Sequence, residues 1–337
     1  MQKKRFRFGG TAVDYYFAAG MSGLSAIVDK KSTILVTDEN VFDHHKQRFR
    51  NWQTIILKAG EAYKNQDTAN YIIEQLIEME ADRKATLVGI GGGVITDITG
   101  YVASVYMRGI RFGFVPTSLL ALVDASIGGK NGIDVGVYKN MVGVIRQPAF
   151  ILHDLAFLSS LPEHEWRNGF AEIIKHASIK DAAMFRDLEK NGPALYRKKK
   201  AMVSQLIQRN ALLKTKVVQQ DEFENGDRKL LNFGHTLGHA LETQYELSHG
   251  EAISIGMNFA AGLSGPLTGF KDRERLRNLL DRYGLPVEMK FDRDKVIAVL
   301  KMDKKKTKDG INFILLQKIG KAIIKQISID QLYENLA

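Results

Sequence analysis

Apolar positions in the first half of the chain fall into short β-branched runs separated by helical stretches. The segments STILVTDENV (32–41), QTIILK (53–58), ATLVGIGGG (85–93) and IRFGFVPTS (110–118) read as strands that end in turns or glycines. Between the second and third, NQDTANYIIEQLIEME (65–80) repeats at the helical period, with Tyr71, Ile72, Leu76 and Met79 on one stripe. This alternation predicts a parallel sheet with helices on both faces and ligands beyond the carboxyl ends of its strands. From about residue 155 the pattern becomes helical, and the next strand signal comes only at 311–328. The expected organisation is an α/β nucleotide-binding domain over 1–155 and a helical domain over 156–337, with the active site in the cleft between them.

The length of 337 residues exceeds what one hydrophobic core usually serves, in keeping with two domains. Hydrophobic residues at 45% and charged residues at 26% describe a folded globular protein rather than a disordered one. There is no cysteine, which excludes a disulfide framework and a thiolate metal site and accords with a cytoplasmic location. Lys3, Lys4 and Arg5 are not followed by an apolar stretch, so no secretory signal is expected. No uninterrupted apolar run approaches the length of about 18 residues that a membrane span needs. Much of the net charge of +10 sits in Arg197–Lys200 and Lys301–Lys308. Neither run is interleaved with aromatic residues, which argues against nucleic acid. The first reads as a solvated helix face, and the second is available to an anionic ligand.

Three groups of residues carry candidate chemistry. In VGIGGGVITDITG, Gly91, Gly92 and Gly93 stand where a strand ends and a helix begins, a place where the backbone can approach a pyrophosphate. Asp38 and Asn40, at an earlier strand end, can meet ribose hydroxyls, and Glu61 and Lys64 stand at a further strand end. The second group is metal-binding in type. His235 and His239 are spaced i,i+4 on one helix, His249 follows, and Glu172 and His176 lie on an earlier helix. Histidine and carboxylate without sulfur suit a catalytic divalent metal with an open position, but spacing leaves open which of these residues bind it. The third group, Arg108, Asp124, Lys130, Lys139, Asn140, Lys175, Lys214, Arg228 and Asn232, with Lys304 and Lys305, is rich in cations and amides. Such a set suits a small substrate bearing both phosphate and carboxylate.

These groups lie in segments that resemble the 3-dehydroquinate synthase family. The segments are GGGVITDITGYVASVYMRGIRFGFVPTSLLALVDASIGGKNGIDVGVYKNMVG, GFAEIIKHA, DEFENGDRKLLNFGHTLGHALE, HGEAISIGM and DKKKTKDG, in that order, within residues 36–310. The resemblance implies a Rossmann-like N-terminal domain, an all-α C-terminal domain and a homodimer. The implied reaction converts 3-deoxy-D-arabino-heptulosonate 7-phosphate to 3-dehydroquinate and phosphate on the shikimate route. It would run through transient oxidation by NAD, phosphate elimination, re-reduction and aldol closure, with zinc or cobalt bound. By resemblance the metal ligands are Glu172, His235 and His249, while His239 turns to the substrate. The cofactor set is Asp38, Asn40, Glu61, Lys64, Gly92, Gly93, Val94, Asp97, Thr117, Ser118, Lys130 and Lys139. Lys130, Asn140, His239, Arg108 and a lysine of the 304–305 pair would surround the phosphate, with Arg108 reaching across from a partner subunit. Lys214, Arg228 and Asn232 would grip the carboxylate and ring hydroxyls, and Asp124, Lys175 and Glu224 would orient the reacting centre.

The chain departs from the family pattern at Thr96, which stands for a glycine of the cofactor turn, at Ser118 for a threonine, and at Tyr138 for a glycine before Lys139 and Asn140. Three rival readings follow. Another NAD- and metal-dependent sugar-phosphate cyclase would need no carboxylate grip. A metal-dependent polyol dehydrogenase would leave the phosphate-type residues without a task. A non-catalytic binding module would need a purely structural metal.

Overall fold

The computed structural model describes residues 2–136, 138–302, 306–307 and 310–335. The chain folds into two compact units. The first comprises the chain up to Trp166 together with Ser204–Phe223, and the second comprises Arg167–Val203 and the chain from Glu224 onward. The division differs from a single cut near residue 155, because Ser204–Phe223 lies in the helical half of the sequence but packs with the first unit. Its apolar stripe is the cause, since Ala211 and Val218 are buried in the first unit's core.

The strands of the first unit are β1 (Gln2–Phe8), β2 (Thr11–Phe17), β3 (Thr33–Asp38), β4 (Gln53–Leu57), β5 (Thr86–Gly91), β6 (Arg111–Pro116), β7 (Lys130–Val135), β8 (Tyr138–Ile145) and β9 (Phe150–Leu152). Seven of them form one sheet in the order β1-β2-β9-β6-β5-β3-β4, and β7 with β8 forms a separate antiparallel ribbon. All neighbours in the large sheet run parallel except β1 and β2, which form a hairpin at one edge. Successive residues of the central strands alternate between two cores, as the pleat requires. Ile34, Val36, Leu87, Phe112 and Phe114 face one core, into which α2 (Gln66–Glu78) sends Ala69, Ile72 and Leu76 and α3 (Gly93–Val105) sends Ile95, Ile98 and Val102. Leu35, Val88, Ile90 and Val115 face the other, closed by Phe49 of α1 (Glu39–Phe49) and by Phe157.

All four strands expected in this half are present, and the helix expected over 65–80 is α2. Its buried stripe is shifted, however. Ala69, Ile72 and Leu76 are buried, whereas Tyr71 is exposed, because it lies about 100° around the helix from Ile72. β1, β2, β9 and the β7–β8 ribbon come in addition to that expectation, although β1 and β2 carry an alternating signal in Phe6 and Phe8 and in Val13, Tyr15 and Phe17. In β8 nearly every residue is exposed, including Tyr138, Met141 and Val142.

The second unit is helical, with α5 (Ala182–Lys190), α6 (Pro193–Lys198), α8 (His235–Gln244), α9 (His249–Thr268), α10 (Arg273–Arg282), α11 (Arg293–Met302) and α12 (Ile329–Asn335). α4 (Glu163–Lys180) enters it and α7 (Lys200–Gln220) leaves it. It also contains a small antiparallel sheet of β10 (Lys306–Thr307), β11 (Gly310–Lys318) and β12 (Lys321–Ile327), at the place where the sequence carried its late strand signal. Leu237, Leu241, Ile255, Leu300, Phe313 and Leu315 join helices and sheet in one core. The basic run Arg197–Lys200 is exposed across the junction of α6 and α7. No described helix is long and apolar enough to cross a membrane.

Candidate active site

In the first unit most of the predicted cofactor residues stand at or just beyond the carboxyl ends of β3, β4, β5 and β6, whereas Lys130 and Lys139 lie on the β7–β8 ribbon. β5 ends at Gly91, Gly92 precedes α3 and Gly93 opens it, so the unpaired backbone N–H groups of the helix start lie at this turn. The turn is tight on one side and open on the other. A Cβ on Gly91 would lie 2.5 Å from Ile95 Cβ, whereas one on Gly92 would meet only Ser118, at 3.5 Å. Thr117 N donates to Gly91 O at 2.9 Å, which ties the end of β6 to the same turn. Ser118 Oγ accepts from Ala121 N at 3.2 Å. Thr96 is fully compatible with α3, since its hydroxyl donates to Gly93 O at 2.9 Å and its side chain is buried. Val94 and Asp97 follow on the first turns of the helix, both partly buried.

Asp38 ends β3 and caps α1, accepting from Val41 N at 2.9 Å, and Asn40 is exposed on the first turn of that helix. Burial raises the Asp38 carboxyl above its ordinary pKa, against the backbone N–H groups that stabilise its charge. Beyond β4, Lys64 is buried among three carboxylates, with Glu61 at 2.7 Å, Asp97 at 3.6 Å and Asp134 at 3.7 Å. Burial pushes the Asp97 carboxyl up to about 7, although the Lys64 ammonium opposes that rise. Lys64 O also accepts from Asp134 N at 2.8 Å, so one lysine ties the β4 end to α3 and to the β7–β8 ribbon. Asp134 in turn accepts from Asn140 N at 2.7 Å and holds Asn140 at φ +54. Tyr138 is exposed at the start of β8, so the loss of glycine there is met without crowding.

Asp124 lies in a π-helical turn, Ala121–Ala125, a backbone form common at functional sites. Lys214 of α7 is buried against it, donating to Asp124 O at 2.7 Å, with Asp124 Oδ1 at 2.9 Å. Lys130 and Lys139 are exposed on the ribbon. Arg108 is exposed on a turn where Met107, Arg108 and Gly109 all have positive φ, at 47°, 67° and 115°. Arg146 supports that turn from below, donating to Ala103 O at 2.9 Å and to Ile110 O at 2.8 Å.

In the second unit, α4, α8 and α9 bring Glu172, His235 and His249 together. Their ligand atoms lie within 4.8 Å of one another, a spacing that one metal ion can bridge. Glu172 is completely buried at the middle of α4, with Lys175 paired to its Oε2. Its Oε1 lies 3.0 Å from His249 Nε2 and 3.5 Å from His235 Nε2. His235 Nδ1 donates to Phe233 O at 3.2 Å, which leaves Nε2 with a lone pair facing the carboxylate. Close packing of α8 on α9 makes this possible. A Cβ on Gly238 would lie 3.0 Å from Ala252 O. Asn168 of α4 accepts from Gly250 N at 3.0 Å, which fixes the start of α9 against the helix that carries Glu172.

The electrostatics of the cluster favour a positive charge at His249. Burial works against that charge, but Glu172 and Glu242 outweigh it and push the imidazole up to about 9. His235 is held well below 6.5, by burial first and then by the Lys175 ammonium. His239 stands apart from the carboxylate. Its ring is exposed, 5.0 Å from the His235 ring and 6.5 Å from that of His249. His176 is buried on α4 and is not a member of the Glu172, His235 and His249 group.

Arg228 and Asn232 lie on a short 3-10 turn, Asp227–Asn232, which runs through Gly234 directly into α8 and His235. Arg228 is buried, and Asn232 Nδ2 donates to Glu224 Oε1 at 2.5 Å. Glu224 sits at φ +61, a conformation few non-glycine residues adopt. Lys304 and Lys305 lie outside the described residues. Sequence reasoning missed two groups, Asp134 beside Lys64 and Glu242 beside His249. The second had a signal, because position 242 lies two helical turns after His235 on the same face.

Comparison with known proteins places this arrangement in a family. Residues 54–168 match the model described as 3-dehydroquinate synthase N-terminal, and residues 169–306 match 3-dehydroquinate synthase C-terminal. A crystal structure of 2-deoxy-scyllo-inosose synthase complexed with carbaglucose-6-phosphate, NAD+ and Co2+ is 25% identical. It has a TM-score of 0.86 and the match covers 99% of this chain and 98% of that one. The 2-epi-5-epi-valiolone synthase of Streptomyces hygroscopicus subsp. jinggangensis 5008, with NAD+ and Zn2+ bound, is also 25% identical. Its TM-score is 0.88, over 100% of this chain and 98% of that one. The glycerol dehydrogenase of Schizosaccharomyces pombe shares the fold at 14% identity, with a TM-score of 0.66 over 99% of this chain and 90% of that one. Two adjoining family models over most of the chain, with full-length likeness to sugar-phosphate cyclases, show that this protein belongs to the 3-dehydroquinate synthase family.

Proposed function

We propose that this protein is a 3-dehydroquinate synthase that uses NAD and a divalent metal, zinc or cobalt, to convert 3-deoxy-D-arabino-heptulosonate 7-phosphate to 3-dehydroquinate and phosphate. The observation that carries the choice among cyclases is the buried guanidinium of Arg228, on the segment that leads straight into His235. A guanidinium can pair with a carboxylate through two parallel hydrogen bonds, which suits a substrate bearing an acid group. The carbaglucose-6-phosphate bound by the inosose synthase carries no carboxylate.

The donor sets fit both groups. Glu172, His235 and His249 would hold the metal, a sulfur-free set suited to zinc or cobalt. The Gly92 turn and the start of α3 would take the dinucleotide pyrophosphate, with Asp38 and Asn40 at the ribose and Lys64 holding the adjoining strand ends together. When bound, the metal acidifies a substrate hydroxyl and NAD accepts and returns a hydride there, so the overall reaction shows no net redox change.

The chain's own residues do the remaining work. Arg228, Asn232 and Lys214 bind the carboxylate and ring hydroxyls and set the substrate's orientation. Lys130, Asn140 and His239 draw the phosphate, with one of the two lysines at 304–305. Asp124 is held by Lys214 as a carboxylate able to move a proton at the reacting carbon, and Lys175 offers a buried ammonium beside Glu172. Arg108, exposed on its positive-φ turn, is supplied to the phosphate of a second copy in a homodimer.

The test is phosphate release by purified protein with sub-stoichiometric NAD and Zn2+ or Co2+. It offers heptulosonate 7-phosphate, sedoheptulose 7-phosphate and glucose 6-phosphate in separate reactions. The expected result is phosphate and dehydroquinate from the first only, without net NADH, abolished by a chelator and restored by metal. Release from either carboxylate-free sugar phosphate in its place would overturn the acid-substrate reading. Steady NADH accumulation with a polyol would favour the dehydrogenase reading instead.

A further inference from the structure

We propose that Glu242 is a positioning residue that orients His249 and sets the metal affinity of the Glu172, His235 and His249 site. The inference rests on the metal reading above and extends it to a residue outside the ligand set. Glu242 and His235 share one face of α8, two turns apart, so a single helix supplies both a ligand and a carboxylate behind the neighbouring ligand. The Glu242 side chain is 7% exposed, and its Oε2 lies 3.6 Å from His249 Nδ1. The other ring nitrogen, Nε2, points at Glu172 Oε1, 3.0 Å away.

The two imidazoles therefore differ in what stands behind them. His235 Nδ1 faces the Phe233 carbonyl, a neutral acceptor, while His249 Nδ1 faces a carboxylate. A carboxylate behind a ligating imidazole fixes the Nδ1–H tautomer, aligns the ring and makes Nε2 a stronger donor. Helix energetics alone do not favour this placement. Glu242 sits in the last turn of α8, where the helix dipole is negative, and a buried carboxylate there costs stability unless it meets a positive partner. His249 opens α9, whose positive end lies beside that carboxylate. Ion binding at Nε2 would draw the His249 ring toward the ligand set with its Nδ1–H held by Glu242.

The experiment measures Zn2+ affinity of the metal-stripped full-length protein by competition with a chromophoric chelator, alongside the thermal midpoint of the stripped protein. Glu242→Ala is expected to weaken Zn2+ binding by about 10- to 100-fold, and Glu242→Gln by less, with the stripped protein's midpoint little changed. Turnover at saturating Zn2+ should be largely retained in both. Affinity of both variants within about threefold of the parent, well short of the expected loss, overturns the proposal. If Glu242→Ala does not fold, Glu242→Gln carries the test. Glu172→Gln serves as the control. A parent protein that binds no Zn2+, or a Glu172→Gln variant that binds as tightly as the parent, overturns the metal reading and this proposal with it. Loss in Glu172→Gln without loss in the Glu242 variants overturns this proposal alone.

Discussion

The Lys214 ammonium lies 2.9 Å from Asp124 Oδ1 and 2.7 Å from the Asp124 carbonyl, so one lysine on α7 holds both ends of the residue at the π-helical turn. Lys214 is buried, and nothing about a long helix obliges it to reach a turn some 90 residues earlier in the chain. The pair is a built feature, and its loss should be read in the chemistry. Lys214→Met is expected to lower kcat/KM for phosphate release by tens to hundreds of fold, on the order of 2–4 kcal/mol of transition-state stabilisation. The same range is expected for Lys130→Ala and Arg228→Ala. Steady-state kinetics within about threefold of the parent, under 1 kcal/mol, would remove the residue concerned from the substrate site.

Neighbouring glycines of the cofactor turn should fail differently. Gly91→Ala sets a methyl group against Ile95 Cβ at 2.5 Å, so it should destabilise the fold by about 1–3 kcal/mol. Gly92→Ala meets only Ser118 Oγ, at 3.5 Å, and its backbone angles suit any residue. That variant should keep its stability and lose roughly tenfold or more in NAD affinity, about 1.4 kcal/mol, because the methyl group enters the space a pyrophosphate would fill. Denaturant unfolding and NAD titration separate the two effects. Equal NAD affinity in Gly92→Ala and the parent would rule this turn out as the pyrophosphate site.

Lys64 neutralises a cluster of Glu61, Asp97 and Asp134, and removing it strands the partly buried carboxylates of Asp97 and Asp134. Lys64→Met should cost about 2–4 kcal/mol at neutral pH. The cost should grow as pH rises through 7, because the Asp97 carboxyl, pushed up to about 7, becomes charged across that range. A second change, Asp97→Asn, should restore part of the loss by removing the stranded charge. Additive effects of the two substitutions would show that Lys64 and Asp97 do not interact.

His153 offers a pH test away from the site. It is buried against Phe17, with ring centroids 4.6 Å apart, and burial pushes its imidazole down to about 4 from 6.5, against a backbone contact from Leu122. Between those values the unfolded chain takes up a proton that the folded chain refuses. Stability from this group therefore falls as pH drops through that window. His153→Phe should gain roughly 2–4 kcal/mol relative to the parent between pH 7.5 and pH 4.5. A difference between the two proteins that does not change with pH would show that His153 is not buried as a neutral ring.

The sequence by itself determined the four parallel strands β3 to β6 with α2, the helical character of the other half and the residue types of the site. Period and composition suffice there, because β-branched runs ending at Gly91 or Asp38 and amphipathic helices such as α2 are local consequences of local sequence. A metal-binding type of site was readable for a similar reason, since His235, His239 and His249 cluster in short helical segments with a carboxylate on an earlier helix. Spacing alone, however, left open which of His235, His239 and His249 bind a metal, and it was the family resemblance that named Glu172, His235 and His249. The tertiary structure sets His249 and Glu172 around His235 and leaves His239 exposed, a geometry that depends on how α4 and α9 pack against α8. The same holds for Lys214 on Asp124, for Asp134 beside Lys64 and for Glu242 behind His249. Each joins residues remote in sequence or on different elements, and local propensity carries no information about which distant side chain will arrive. The edge hairpin of β1 and β2 had a legible pattern, and only its place in the sheet was hidden. Phe6 and Phe8 of β1 and Val13, Tyr15 and Phe17 of β2 stand at every second position, but the pairing of β2 with β9 joins segments remote in sequence.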